Sequence, residues 1–165
     1  MRPPRPEPVG AGQESVWDYP RPPRLERVDR RIVVEFAGAV IVDTRDVVRV
    51  LETTHPPVYY LPIDAFVPGV LCEGEGTSFC EFKGQASYFD VVANGRIAPR
   101  VGWTYPHPSR GFEELAGRVA LYPGPMDRCT VDGEIVTPQP GTFYGGWITS
   151  DIRGPFKGVP GSGGW

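Results

Sequence analysis

Ile32-Val33-Val34-Glu35-Phe36 and Val40-Ile41-Val42 are two β-branched runs separated by Ala37-Gly38-Ala39, a small-residue break that reads as a hairpin. Val47-Val48-Arg49-Val50-Leu51 follows as a third strand, and its weak alternation implies burial on both faces. Further on, 78–82 and 86–92 read as strands joined by Lys83-Gly84-Gln85, and Asn94-Gly95 makes a tight turn into 96–103. Strands resume over 118–122, 129–131 and 134–136, the last two about an Asp132-Gly133 turn. One short helix is predicted: Ser109 caps a turn running through 112–116, and Gly117 ends it. The expected fold class is therefore mainly β.

Glycine and proline number 21 and 20, but they alternate with aromatic and β-branched residues, which implies many turns between short strands and not disorder. The length fits one domain, placed at 16–158. A Pro-, Arg- and Gly-rich lead, 1–15, lacks hydrophobic periodicity and is expected to be disordered, as 159–165 is expected to be a loose tail. Val16-Trp17-Asp18-Tyr19-Pro20 begins the order, pinning an extended arm over 21–25 across the surface. The segment 63–77, with Pro68-Gly69 and Glu73-Gly74-Glu75-Gly76, reads as a mobile loop covering a pocket.

The net charge is −3 and the arginines are interspersed with acids, so the basic footprint of a nucleic-acid binder is missing. Three cysteines without CxxC spacing argue against a disulfide framework and against a cysteine zinc site; no metal and no cofactor are expected. No apolar run approaches the length of a membrane span, which predicts a soluble, cytoplasmic protein with no membrane partner. Nothing in the sequence sets the oligomeric state.

Only two lysines occur, Lys83 and Lys157, each between a phenylalanine and a glycine. Charge elsewhere is supplied by arginine, so the repeated Phe-Lys-Gly context suggests a task for a compact ammonium group, with glycine permitting close approach. The densest reactive cluster is Glu52-Thr53-Thr54-His55, followed by Pro56-Pro57-Val58-Tyr59-Tyr60. Glu52 and His55 fall on opposite faces of a strict strand but meet if the chain turns there. Imidazole is the natural proton carrier near neutral pH, making Glu52, His55 and Tyr60 an acid/base or ligand-anchoring set. The ordinary alternative is a strand exit whose polar groups satisfy a turn. Trp103-Thr104-Tyr105-Pro106 and Phe143-Tyr144-Gly145-Gly146-Trp147 supply aromatic walls, or simply core.

These residues carry a resemblance to a known family. The stretches 52–60, Phe82-Lys83-Gly84-Gln85-Ala86-Ser87-Tyr88, Trp103-Thr104-Tyr105-Pro106, Tyr122-Pro123 with Asp132-Gly133-Glu134, and 143–147 resemble the bacterial and fungal family known as domain of unknown function 427. The resemblance runs from about residue 15 to the end. It implies a compact all-β domain similar to the β-tent arrangement, two antiparallel sheets meeting at an angle over a pocket. A nucleotidyltransferase label attached to that family finds little support here, since no phosphate-cradling loop before a helix and no close aspartate pair for magnesium is present.

Two functional readings follow. The first is a binding module for a small organic, planar or anionic ligand, with Thr53, Tyr60, Phe82, Tyr88, Trp103, Tyr105, Tyr144, Trp147 and Lys157 around it and Lys83 answering its charge. The second is a metal-independent enzyme, such as a hydrolase, with Glu52 or His55 as general base and Lys83 or Tyr88 stabilising developing negative charge.

Overall fold

The computed structural model describes residues 4–165. Its strands are β1 (Glu14–Ser15), β2 (Arg24–Val28), β3 (Ile32–Phe36), β4 (Ala39–Thr44), β5 (Val47–Leu51), β6 (Val58–Pro62), β7 (Leu71–Cys80), β8 (Gly84–Ala93), β9 (Arg96–Thr104), β10 (Arg118–Leu121), β11 (Arg128–Val131), β12 (Glu134–Ile135), β13 (Thr137–Pro138), β14 (Trp147–Ile148) and β15 (Ile152–Arg153). A seven-stranded sheet has the order β2-β5-β6-β10-β9-β8-β7, and a four-stranded sheet the order β12-β11-β3-β4. All pairings within these two sheets are antiparallel. Two short ribbons, parallel β1–β15 and antiparallel β13–β14, complete the mainly β architecture.

The turn chemistry explains the hairpins. Ala37-Gly38, Asn94-Gly95 and Asp132-Gly133 all have positive φ at both residues, from 48° to 84°, the backbone of a two-residue hairpin turn that matches strand twist. Strand alternation then divides the side chains between two layers. Tyr59, Leu61, Val119 and Leu121 face the four-stranded sheet and join Ile32, Val34, Phe36 and Ile41 in the main core. Tyr60, Ala120 and Val48 point the other way, into a second cluster with Tyr105, Phe112 and Leu115. All five residues of β5 are buried, as expected of a strand covered on both sides.

Five expectations are corrected. The lead is docked where it is described: Glu7 N donates to Gly154 O at 2.8 Å, β1 pairs with β15, and Glu14 binds the buried Arg49; residues 1–3 of the segment 1–15 lie outside the described residues. Val16, Tyr19, Leu51 and Ile152 form a third apolar cluster there, which offsets the ordering entropy that composition alone does not reveal. The tail is not loose, because Trp165 packs on Trp17 with ring centroids 5.4 Å apart and Ser162 is buried. Much of 63–77 belongs to β7, whose ladder with β8 needs main-chain partners and not apolar side chains. The predicted helix is a three-residue 3-10 turn, Glu113–Leu115, too short between Gly111 and Gly117 to nucleate an α-helix. The arm over 21–25 likewise passes into strand β2, paired with β5.

Candidate functional site

After β5 the chain turns sharply, with His55 N donating to Glu52 O at 3.0 Å. The turn carries Thr54 at φ 72°, a conformation that β-branched residues rarely adopt. Thr54 is only 2% exposed, and its Oγ1 has no hydrogen-bond partner among the described residues. Its main chain ties three segments together: Thr54 N donates to Val16 O, and Lys157 N donates to Thr54 O. The turn places Glu52 and His55 on one side, with His55 Nε2 3.7 Å from Glu52 Oε2, too long for a direct hydrogen bond. Arg21 holds the other flank of Glu52 at 3.2 Å and also donates to Thr53 O.

The protonation of His55 follows from Gln139. Gln139 Oε1 accepts from Gly146 N at 3.0 Å and its Nε2 donates to Lys157 O at 2.9 Å, which fixes the amide orientation. The same Nε2 lies 3.0 Å from His55 Nδ1, so Nδ1 is the bare acceptor and the proton sits on Nε2. Burial pushes the imidazole down to about 4; Glu52 opposes that shift, while the charges of Lys157, Arg21 and Lys83 add to it. His55 is therefore neutral near pH 7, correcting the expectation of a proton carrier poised there.

The glycines of the two Phe-Lys-Gly sequences share a left-handed backbone. Gly84 and Gly158 have φ 108° and 119°, and each backs against main chain: Gly84 against His107 O, Gly158 against Pro140 O. Each lysine Nζ stands 5.8 Å from a tyrosine ring centroid, Lys83 over Tyr105 and Lys157 over Tyr144. Lys157 Nζ additionally donates to Trp165 O at 3.2 Å. Both ammonium groups press on the same histidine.

Between them runs an aromatic row set by strand register. Val48 pairs with Tyr60, Ala120 with Trp103, and Trp103 with Tyr88, so these side chains share the second face of the large sheet. Trp103 Nε1 donates to Tyr60 Oη at 3.3 Å, and Tyr60 and Tyr105 rings are 6.4 Å apart. Burial raises the pKa of both phenols, which therefore stay protonated. Phe82 and Cys80 pack against this cluster, and Tyr88 Oη lies 2.7 Å from Ser78 Oγ. The segment 140–146 crosses the row: Tyr144 meets His55 edge-on at 4.9 Å, and Gly145 lies so close on the Trp103 indole that a Cβ would overlap it. The close approach permitted by this glycine is thus to the protein's own tryptophan.

Trp147 stands apart from the others. It is 1% exposed in the main core, packs on Tyr59, and donates from Nε1 to Leu121 O at 3.0 Å, so no face of it remains for a ligand. Two surface clefts, of about 270 and 540 Å³, lie elsewhere, lined by Arg27, Asp29, Arg45 and Asp46 and by Arg31, Asp132 and Gly133 respectively. Both are open and charged and share no residue with the aromatic row. Among the described residues no three His, Cys, Asp or Glu side chains converge as a metal cluster.

The family model described as Domain of unknown function (DUF427) matches residues 24–132. The chain belongs to this family. Among curated proteins, none matches the chain. The DUF427 span includes Glu52, His55, Lys83, Tyr88, Trp103 and Tyr105, whereas Gln139, Tyr144 and Lys157 come from beyond its last matched residue. Gln139 and Arg21 are the site residues that sequence reasoning missed. A single glutamine among prolines and an arginine in a Pro-rich arm carry no motif; only the fold shows what they hold.

Proposed function

We propose that this domain binds a small planar aromatic anion and does no chemistry on it. The observation that carries the reading is two ammonium groups, each above a tyrosine ring, whose charges both act on a neutral histidine. Near pH 7 Arg21 offsets Glu52, and of the two ammonium groups Lys157 already has Trp165 O as a partner, which leaves Lys83 as the charge that favours an anion. The His55 Nε2–H has no acceptor within hydrogen-bond range in Glu52, so it is available to donate to a carboxylate or phosphate oxygen. Tyr105 and Trp103 offer ring faces and edges for a planar body.

The hydrolase reading is weaker for a geometric reason. A general base needs a bare ring nitrogen aimed at a nucleophile, but the bare nitrogen of His55 is Nδ1, which is occupied by Gln139. A cytoplasmic location is part of the proposal and is supported by three free cysteines; no described helix is long and apolar enough to cross a membrane.

The test is a thermal-shift screen of purified protein against aromatic carboxylates and aryl phosphates, with native mass spectrometry of protein from its own host. Saturable stabilisation by at least one such compound, or a co-purifying aromatic acid, supports binding. Turnover of a panel compound would replace this reading with the enzyme.

A further inference from the structure

The segment that crosses the site is a closed loop of its own. Gln139 N donates to Gly146 O at 3.0 Å, and Gly146 N donates to the Gln139 side chain, so the base is pinned at both ends. Across 141–145, among the described residues, the hydrogen bond that holds the loop down is Tyr122 Oη to Phe143 O, at 2.9 Å. Otherwise it rests on ring contacts. Phe143 is 78% exposed, and among the described residues the Tyr144 hydroxyl has no hydrogen-bond partner. A short surface loop with adjacent ends and few internal bonds moves as a unit at low cost. Its Tyr144 ring has the contacts a bound ring would seek: an edge-on histidine at 4.9 Å and an ammonium at 5.8 Å.

We propose that Tyr144 stands in for the ligand: the loop 140–145 is a lid, and its phenol ring occupies the place taken by the single aromatic ring of a phenol-sized aryl carboxylate, which displaces it. The inference rests on the binding reading above and adds the ring size and the exchange. The incoming ring replaces Tyr144 beside His55 and Lys157, and its carboxylate turns toward Lys83 and the Nε2–H of His55. A fused bicyclic ring exceeds the space one tyrosine ring vacates. Because Gln139 is both the hinge of the lid and the partner of His55 Nδ1, the lid opens without releasing the histidine.

Calorimetric titration of 4-hydroxybenzoate into wild type, Tyr144→Ala and Tyr122→Phe tests this. Removing the competing ring should tighten binding roughly fivefold or more in Tyr144→Ala. Tyr122→Phe, which only loses the tether to Phe143 O and leaves the core unchanged, should tighten it in the same direction. Weaker or unchanged binding in both variants overturns the lid while leaving the binding reading in place. If 1-naphthoate binds wild type as tightly as 4-hydroxybenzoate, the single-ring limit is wrong. Absence of binding to all three proteins, by any aromatic carboxylate or aryl phosphate, overturns both the lid and the reading beneath it.

Discussion

Gln139 Nε2 donates to His55 Nδ1 at 3.0 Å, a side-chain bond that, with Lys157 N to Thr54 O, joins the C-terminal segment to the turn after β5. It sets the tautomer of His55 and leaves Nε2–H facing the site.

The pH dependence of stability follows. Burial holds the folded-state value of His55 at about 4, below the ordinary 6.5, so between those values the unfolded chain binds the extra proton. The stability contributed by the neutral imidazole is fully present above pH 6.5 and is lost as pH falls toward 4. Unfolding free energies from urea denaturation at pH 7 and 4.5 should differ by on the order of 2–3 kcal/mol more in wild type than in His55→Asn. Parallel pH profiles for the two proteins would contradict the assignment.

Thr54 is strained and its hydroxyl is unpaired among the described residues. Thr54→Gly removes a left-handed penalty of about 1–2 kcal/mol and an unsatisfied buried hydroxyl, against a backbone-entropy cost of about 0.5–1 kcal/mol. The variant should be more stable by about 1 kcal/mol in chemical denaturation. A loss of similar size would show that the threonine side chain contributes packing that outweighs its strain.

The two matching glycines should respond unequally. An alanine Cβ at Gly158 would overlap the Pro140 carbonyl oxygen, which is main chain and cannot swing away, whereas at Gly84 the nearest atom, His107 O, is 3.2 Å off. Gly158→Ala should cost about 3 kcal/mol or more and Gly84→Ala about 1–2 kcal/mol. Equal melting temperatures would count against the tight tail described here.

Hydrogen exchange tests the docked lead. The amides of Glu7 and Glu14, bonded to Gly154 O and Asp151 O, should exchange slowly, and Glu14→Ala should loosen them while costing about 1–2 kcal/mol through the buried Arg49. Unprotected amides over 7–15 would restore the disordered lead that composition implies.

What was legible depended on how local the cause was. Asn94-Gly95 and Asp132-Gly133 announce their turns because few residues tolerate positive φ, and the valine runs of β3 and β5 announce strands. β7 does not, since Glu73-Gly74-Glu75-Gly76 has no apolar alternation and its strand state is imposed by β8. The family resemblance pointed to the same mainly β fold and to the residues 52–60. The meeting of Glu52 with His55 turned on one backbone angle at Thr54, which no propensity reveals. Trp147 read as a site wall because aromatic residues beside glycine look alike whether they line a cleft or fill a core; burial alone separates them. The tail looked loose because its anchor, Trp17, lies at the opposite end of the chain.

The account stands most directly on Lys83. Lys83→Arg keeps the charge but replaces a compact ammonium with a wider planar fork over the Tyr105 ring, so folding should change by no more than about 0.5 kcal/mol. Titration of 4-hydroxybenzoate into wild type and Lys83→Arg should show affinity at least about tenfold weaker in the variant, a loss of roughly 1.4 kcal/mol. Superimposable isotherms, given measurable binding by wild type, would remove Lys83 from the site.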